Sequence, residues 1–123
     1  MTRFAGLRVM VVEDIFMLAM ELQMTLESVG VEVIGPFANS ENAFKSFQQR
    51  PPDCALLDVN LGEDNSFDLA RALRMRGVPF LFFTGYDRKA LPPEFADVER
   101  LEKPIDFTRL LQALGNCCCA APS

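Results

Sequence analysis

Val9-Met10-Val11-Val12-Glu13-Asp14 is an uninterrupted apolar run of strand length that stops on two adjacent carboxylates. Behind it the spacing changes: Ile15, Leu18, Leu22, Leu26 and Val29 recur every three or four residues, the period of one helix face, until Gly30 ends the pattern. Strand, acidic turn and helix therefore follow one another within thirty residues. A strand apolar on both faces has to be covered on both faces, as in parallel sheets whose crossover connections are helices.

The same unit repeats down the chain. Val31-Glu32-Val33-Ile34 reads as a second strand ended by Gly35-Pro36, and Asn39-Ser40 as the cap of a helix that carries Ala43, Phe44 and Phe47 inward and stops at Pro51-Pro52. Cys54-Ala55-Leu56-Leu57 is a third strand ending at Asp58. After the polar stretch from Asn60 to Ser66 comes a helix through Leu69, Ala70 and Leu73, closed by Gly77. Phe80-Leu81-Phe82-Phe83 is the fourth strand, running into Thr84-Gly85. A weaker fifth is expected around Val98 to Leu101, before a last helix capped by Asp106 with Phe107, Leu110, Leu111 and Leu114 on one face. Between Gly85 and Val98 the residues Asp87-Arg88-Lys89 and Leu91-Pro92-Pro93 make a poor helix, so the fourth helix is expected to be short or mobile. The class is a three-layer α/β fold.

Composition bounds the possibilities. The 123 residues, 50% hydrophobic and 24% charged, suit one domain with a real core. The expected organisation is a domain over residues 1–116 and a short tail over 117–123, with no output domain. A net charge of −5 without a Lys/Arg cluster argues against nucleic acid, and the longest apolar stretch, Val78 to Phe83, is too short to span a membrane, so a cytoplasmic location is expected. Cys54 lies in an apolar run while Cys117, Cys118 and Cys119 crowd the end of the chain; this is no zinc or disulfide framework, and reduced thiols are expected. Histidine is absent, so any phosphohistidine chemistry needs a partner.

Ligands of parallel α/β sheets sit outside the carboxyl ends of the strands. Here those ends carry Glu13 and Asp14, Asp58, Thr84, and Lys103-Pro104. If the strand order is 2-1-3-4-5, the first and third strands are neighbours and three carboxylates converge, a costly arrangement without a cation. Carboxylates, a backbone carbonyl and water suit Mg²⁺. Lys103 and Thr84 complement a multi-oxygen anion such as phosphate, and Asp58 is placed to attack a phosphoryl group and form an acyl phosphate.

Val11-Val12-Glu13-Asp14, Leu56-Leu57-Asp58-Val59-Asn60-Leu61, Phe83-Thr84-Gly85 and Glu102-Lys103-Pro104 together resemble the receiver domain of two-component response regulators, over nearly the whole chain. The likeness is closest to the single-domain FAT GUY subgroup, with Phe83 where that group usually has Ala. It implies a flavodoxin-like (CheY-like) fold and a signalling phosphoacceptor rather than an enzyme, with only self-phosphorylation and autodephosphorylation chemistry of its own. The partners implied are a sensor histidine kinase or a histidine phosphotransfer protein, and a downstream protein target. By the same likeness Asp58 accepts the phosphoryl group, Asp14, Asp58 and the Asn60 carbonyl bind Mg²⁺, Glu13 holds it through water, and Thr84 and Lys103 contact phosphoryl oxygens. The Lys103-Pro104 peptide is usually cis in this family.

The chain departs from the pattern at Arg100, where most receivers carry a switching aromatic; Tyr86 is the candidate substitute, acting with Thr84. The first helix carries more apolar surface than one core stripe needs. Phe16, Met17, Met20 and Met24, with Pro104 and Ile105 beside them, form a candidate docking face for the helical bundle that presents phosphohistidine. Two other classes remain: a phosphate-independent interaction adaptor, and a Mg²⁺-dependent phosphatase forming an aspartyl phosphate. The phosphatase is disfavoured by Asn60, which stands where such enzymes usually place a second acid.

Overall fold

The computed structural model describes residues 4–61, 64–85 and 91–118. Among them a five-stranded parallel sheet is built from β1 (Arg8–Val12), β2 (Glu32–Phe37), β3 (Cys54–Asp58), β6 (Phe80–Thr84) and β7 (Arg100–Glu102), in the order β2-β1-β3-β6-β7. A two-residue antiparallel pair, β4 (Asn60–Leu61) and β5 (Asp64–Asn65), interrupts the count after β3. With that pair set aside, the order is the expected 2-1-3-4-5, and the fold is flavodoxin-like.

Alternate strand residues feed two cores, as period-two side-chain alternation dictates. Met10, Val12, Ala55, Leu57, Phe80 and Phe82 face α2 (Ser40–Gln49) and α3 (Phe67–Met75). Val9, Val11, Cys54, Leu56, Leu81 and Phe83 face α1 (Phe16–Ser28) and α4 (Phe107–Cys118). The caps read from sequence are present: Asn39 accepts a hydrogen bond from the Asn42 amide at 2.9 Å, and Asp106 from the Thr108 amide at 3.0 Å. Both satisfy amides that the first helical turn leaves without partners.

Four expectations change. Ile15 is half exposed rather than part of the α1 core stripe, because it precedes the helix and only Ala19, Leu22 and Leu26 of α1 are buried. β2 does not end at Gly35-Pro36 but runs through that cis peptide to Phe37, with a register shift that pairs Met10 with Ile34 and Val12 with Phe37. An edge strand tolerates a proline that cannot donate, and Gly35 is required there: its φ is +102°, and a Cβ would sit 2.8 Å from the Phe37 nitrogen. α4 continues to Cys118, past the expected start of a tail at residue 117, and Cys117 packs against the α1/α4 core. Finally, Cys54 is disulfide-bonded rather than reduced. The end of α4 returns to the start of β3, a proximity invisible in the linear spacing of the cysteines.

Where a fourth crossover helix would stand, the described chain has a single 3₁₀ turn, Pro93–Phe95, in agreement with the poor helical pattern. Asp87, Arg88 and Lys89 lie outside the described residues. The turn is anchored by Phe95, which is fully buried among Phe67, Phe80 and Phe82 with ring centroids 5.3 to 6.0 Å apart. Arg71 and Arg74 of α3 stand 5.7 and 5.3 Å from the centroid of that ring and pair with Glu94 and Asp97 from outside. Phe95→Ala should lower stability by about 3–5 kcal/mol in urea unfolding, the usual cost of emptying a buried aromatic site. Arg71→Ala should cost far less, since its ion pairs are half exposed; equal losses would show that the turn is held by charge.

Candidate functional site at the carboxyl edge

β1, β3 and β6 all stop at the same edge of the sheet, and each stop delivers a polar residue. Glu13 and Asp14 follow β1, Asp58 ends β3 and Thr84 ends β6. The register that pairs Val12 with Leu57 sets Glu13 beside Asp58. Glu13, Asp58 and Thr84 are buried, Asp14 is exposed, and carboxylate oxygens of Glu13, Asp14 and Asp58 lie within 4.8 Å of one another.

Lys103 arrives from the loop after β7. Its amide donates to the Thr84 carbonyl at 2.8 Å, which fixes the backbone, and the Lys103-Pro104 peptide is cis as expected. From there Nζ reaches Asp58 Oδ2 and Glu13 Oε1, each at 2.9 Å. One ammonium thus bridges two buried carboxylates. Main-chain amides complete the arrangement: Ile15 donates to Glu13 Oε2 at 3.0 Å and Asn60 to Asp58 Oδ1 at 3.0 Å.

Burial pushes the Glu13 carboxyl up to about 7, against the hydrogen bonds from Lys103 and Ile15, and the neighbouring Asp58 charge adds to the rise. Burial alone would lower the Lys103 pKa, but hydrogen bonds and charge from Asp58 and Glu13 outweigh it, so the ammonium is held above its ordinary value. Three carboxylates facing one lysine leave an excess of negative charge, and their hard oxygen donors fit a small divalent cation. The donor set suits Mg²⁺ and does not suit softer metals, for which thiolate and imidazole are the usual ligands.

The structure brings Glu13, Asp14, Asp58 and Lys103 together, with Thr84 at the end of β6 on the same edge. The sequence reading missed the Asn60 amide, which orients the Asp58 carboxylate; an Asp two residues before a polar loop position is the ordinary signal for that bond. Tyr86 lies outside the described residues. Phe16, Met17 and Met24 are about two-thirds exposed or more and Met20 is 40% exposed, so this flank of α1 is not covered by α4. Pro104 is exposed and Ile105 half-buried on the same side of the sheet.

Comparison with known proteins agrees with this geometry. Residues 9–115 match the response regulator receiver domain family. The chain is 37% identical over 112 residues to the sensory transduction protein LytT of Bacillus cereus, a match covering 88% of this chain and 46% of that protein. It is 32% identical over 95 residues to an uncharacterized response regulatory protein of Vibrio cholerae, over 75% of this chain and 40% of that one. The chain therefore spans less than half the length of these curated relatives. Among solved structures, SdrG from Sphingomonas melonis Fr1 superposes with a TM-score of 0.80 at 30% identity, covering 94% of this chain and 97% of that one. A response regulator receiver protein from Burkholderia phymatum shares the fold with a TM-score of 0.78 at 23% identity, covering 90% of this chain and 94% of that one. The chain belongs to the response regulator receiver domain family.

Proposed function

We propose that this domain accepts a phosphoryl group from a phosphohistidine on a partner, a sensor histidine kinase or a histidine phosphotransfer protein, onto Asp58. The observation that carries the reading is the Lys103 ammonium held 2.9 Å from Asp58 Oδ2 beside two further carboxylates. An Asp58 oxygen attacks phosphorus, the P–N bond of the donor breaks, and the imidazole leaves with the bonding pair. Lys103 neutralises the phosphoryl oxygens as they arrive, and the Asn60 amide keeps the attacking carboxylate oriented. Asp14, Asp58 and the Asn60 carbonyl would hold Mg²⁺, with Glu13 acting through water. When bound, the ion supplies charge neutralisation to the anionic donor and acceptor. Thr84, at the end of β6, is the hydroxyl available to a phosphoryl oxygen, and with Tyr86 it forms the switch in place of the usual aromatic. The subgroup reading, a FAT GUY receiver, belongs to the same proposal.

The exposed flank of α1 supports a second element of the reading. Phe16, Met17, Met20 and Met24, beside Pro104 and Ile105, offer an adaptable apolar face next to the acceptor, suited to the helices that carry a phosphohistidine.

Incubation with acetyl phosphate and Mg²⁺ should add one phosphoryl group to the intact mass, and Asp58→Asn or a chelator should abolish the gain. Addition that survives Asp58→Asn would remove the assignment. Met20→Glu should slow transfer from a phosphorylated partner at least tenfold while acetyl phosphate labelling stays unchanged; equal loss of both would place the defect in the acceptor site. Amide exchange over residues 85 to 97 should slow when a phosphoryl mimic and Mg²⁺ are added, and identical rates would exclude Thr84 and Tyr86 as an ordering switch.

A further inference from the structure

The exposed flank of α1 carries a charge pattern that fixes the chemistry of what docks on it. Phe16, Met20 and Met24 stand one turn apart on a single stripe with Met17 beside them, and they are 72%, 40%, 66% and 67% exposed. From Phe16 to Met24 the stripe is about 12 Å long at the helical rise, the reach of two turns of a partner helix. Glu21 lies one turn from both Met17 and Met24, Glu27 lies one turn beyond Met24, and both are exposed. Gln23 Nε2 donates to Glu27 Oε2 at 3.2 Å and holds that carboxylate at the end of the stripe.

No base offsets these acids locally. Lys and Arg are absent between Arg8 and Lys45, so α1 and the turns on either side of it supply carboxylates alone. Lys103, the cation that reaches the acidic edge, is taken up by Glu13 and Asp58. Among the described residues neither Glu21 nor Glu27 is in an ion pair.

The rim separates the occupants that an apolar helix face could have. A second copy packed by the same patch about a two-fold axis would set Glu21 and Glu27 against acids, with no base in either face to meet them. A bilayer surface attracts helices whose apolar face is rimmed by Lys and Arg, the reverse of this one. A helix with an apolar stripe flanked by Lys or Arg gains both the burial of the methionines and the pairing of the carboxylates.

We propose that the α1 flank docks a basic-rimmed amphipathic helix, and that the phosphohistidine donor presents such a helix. The inference rests on the reading of this flank as the donor's docking face, and adds the sign of charge by which a donor is accepted. Methionine side chains adapt to many apolar stripes, so the stripe alone discriminates little. The rim carboxylates discriminate, because a donor with an acidic rim meets like charge. They also steer encounter, an effect that salt screens.

Two synthetic helical peptides of about 18 residues, each with a leucine stripe and rimmed by either lysine or glutamate, are titrated into the isotope-labelled domain and followed by NMR. The lysine-rimmed peptide should shift the amides of residues 16–28 with a Kd at or below about 1 mM, and the glutamate-rimmed peptide should not. Glu21→Lys should weaken binding at least roughly fivefold, whereas Glu41→Lys, the same change in net charge at an exposed position of α2, should leave it unaltered. Raising NaCl from about 0.05 to about 0.3 M should weaken it severalfold. Labelling of Glu21→Lys by acetyl phosphate should equal that of the wild type. Equal binding of both peptides, equal effects of the two charge reversals, or shifts centred away from α1 would overturn the proposal. So would a dimer that Met20→Glu disperses, or binding of phosphatidylserine vesicles through α1. A domain labelled at Asp58 that binds neither peptide would sink the docking inference alone. A domain that never labels but binds the lysine-rimmed peptide on α1 would keep the docking surface and remove the acceptor reading.

Discussion

One ammonium between two buried carboxylates is the constraint from which the carboxyl edge of this domain follows. Glu13 and Asp58 lie on adjacent strands that a parallel register brings side by side, and neither has water enough to carry its charge alone. Lys103 meets both at 2.9 Å, and every nearby backbone feature serves that meeting. The Lys103 amide is tied to Thr84, the Ile15 amide turns Glu13, and the Asn60 amide turns Asp58. Even so burial pushes the Glu13 carboxyl up to about 7, and the neighbouring Asp58 charge adds to the rise. A site that holds excess negative charge before any ligand arrives is poised to take a cation, and with the cation an anionic group.

Strand order and alternation explain why so few residues suffice. The order β2-β1-β3-β6-β7 puts β3 at the centre of the sheet, so its last residue is reached from both sides, by β1 with Glu13 and by β6 with Thr84. β7 lies beyond β6, and its following loop has only to return past Thr84 to bring Lys103 to Asp58. Small changes in register would separate these groups. The α2/α3 and α1/α4 cores on the two faces hold the register, because a slip of one residue would turn Leu56 and Leu57 toward the wrong helices.

Much of this was legible in the sequence, for identifiable reasons. Four runs of strand length marked the sheet, and the three that end at Glu13-Asp14, Asp58 and Thr84 marked the site, because buried parallel strands are short, apolar and abruptly bounded. What escaped the reading depended on distance along the chain or on a departure from regularity. The bulged path of β2 through Gly35-Pro36 looked like a strand end, since proline and glycine are ordinary terminators. Ile15 fitted the helical period but stands ahead of the helix, where its amide serves Glu13. The approach of Cys117 to Cys54 comes from packing α4 back across the sheet, and no local pattern encodes it.

Phe95 shows how a short 3₁₀ turn can still be structural. Residues 91–98 have neither the apolar period nor the propensity for a helix, yet one aromatic ring enters the core beside Phe82 and Phe80 and fixes the segment from inside. The arginines of α3 cover that ring, and their pairing with Glu94 and Asp97 is solvent-exposed and weak by comparison with the burial. The anchoring ring touches β6, and β6 ends in Thr84 at the acidic edge. Strand β6 therefore links the site to the described part of the β6–β7 connection: Thr84 stands two residues from Phe82, whose ring meets Phe95, and Leu91 and Val98 pack against the same core.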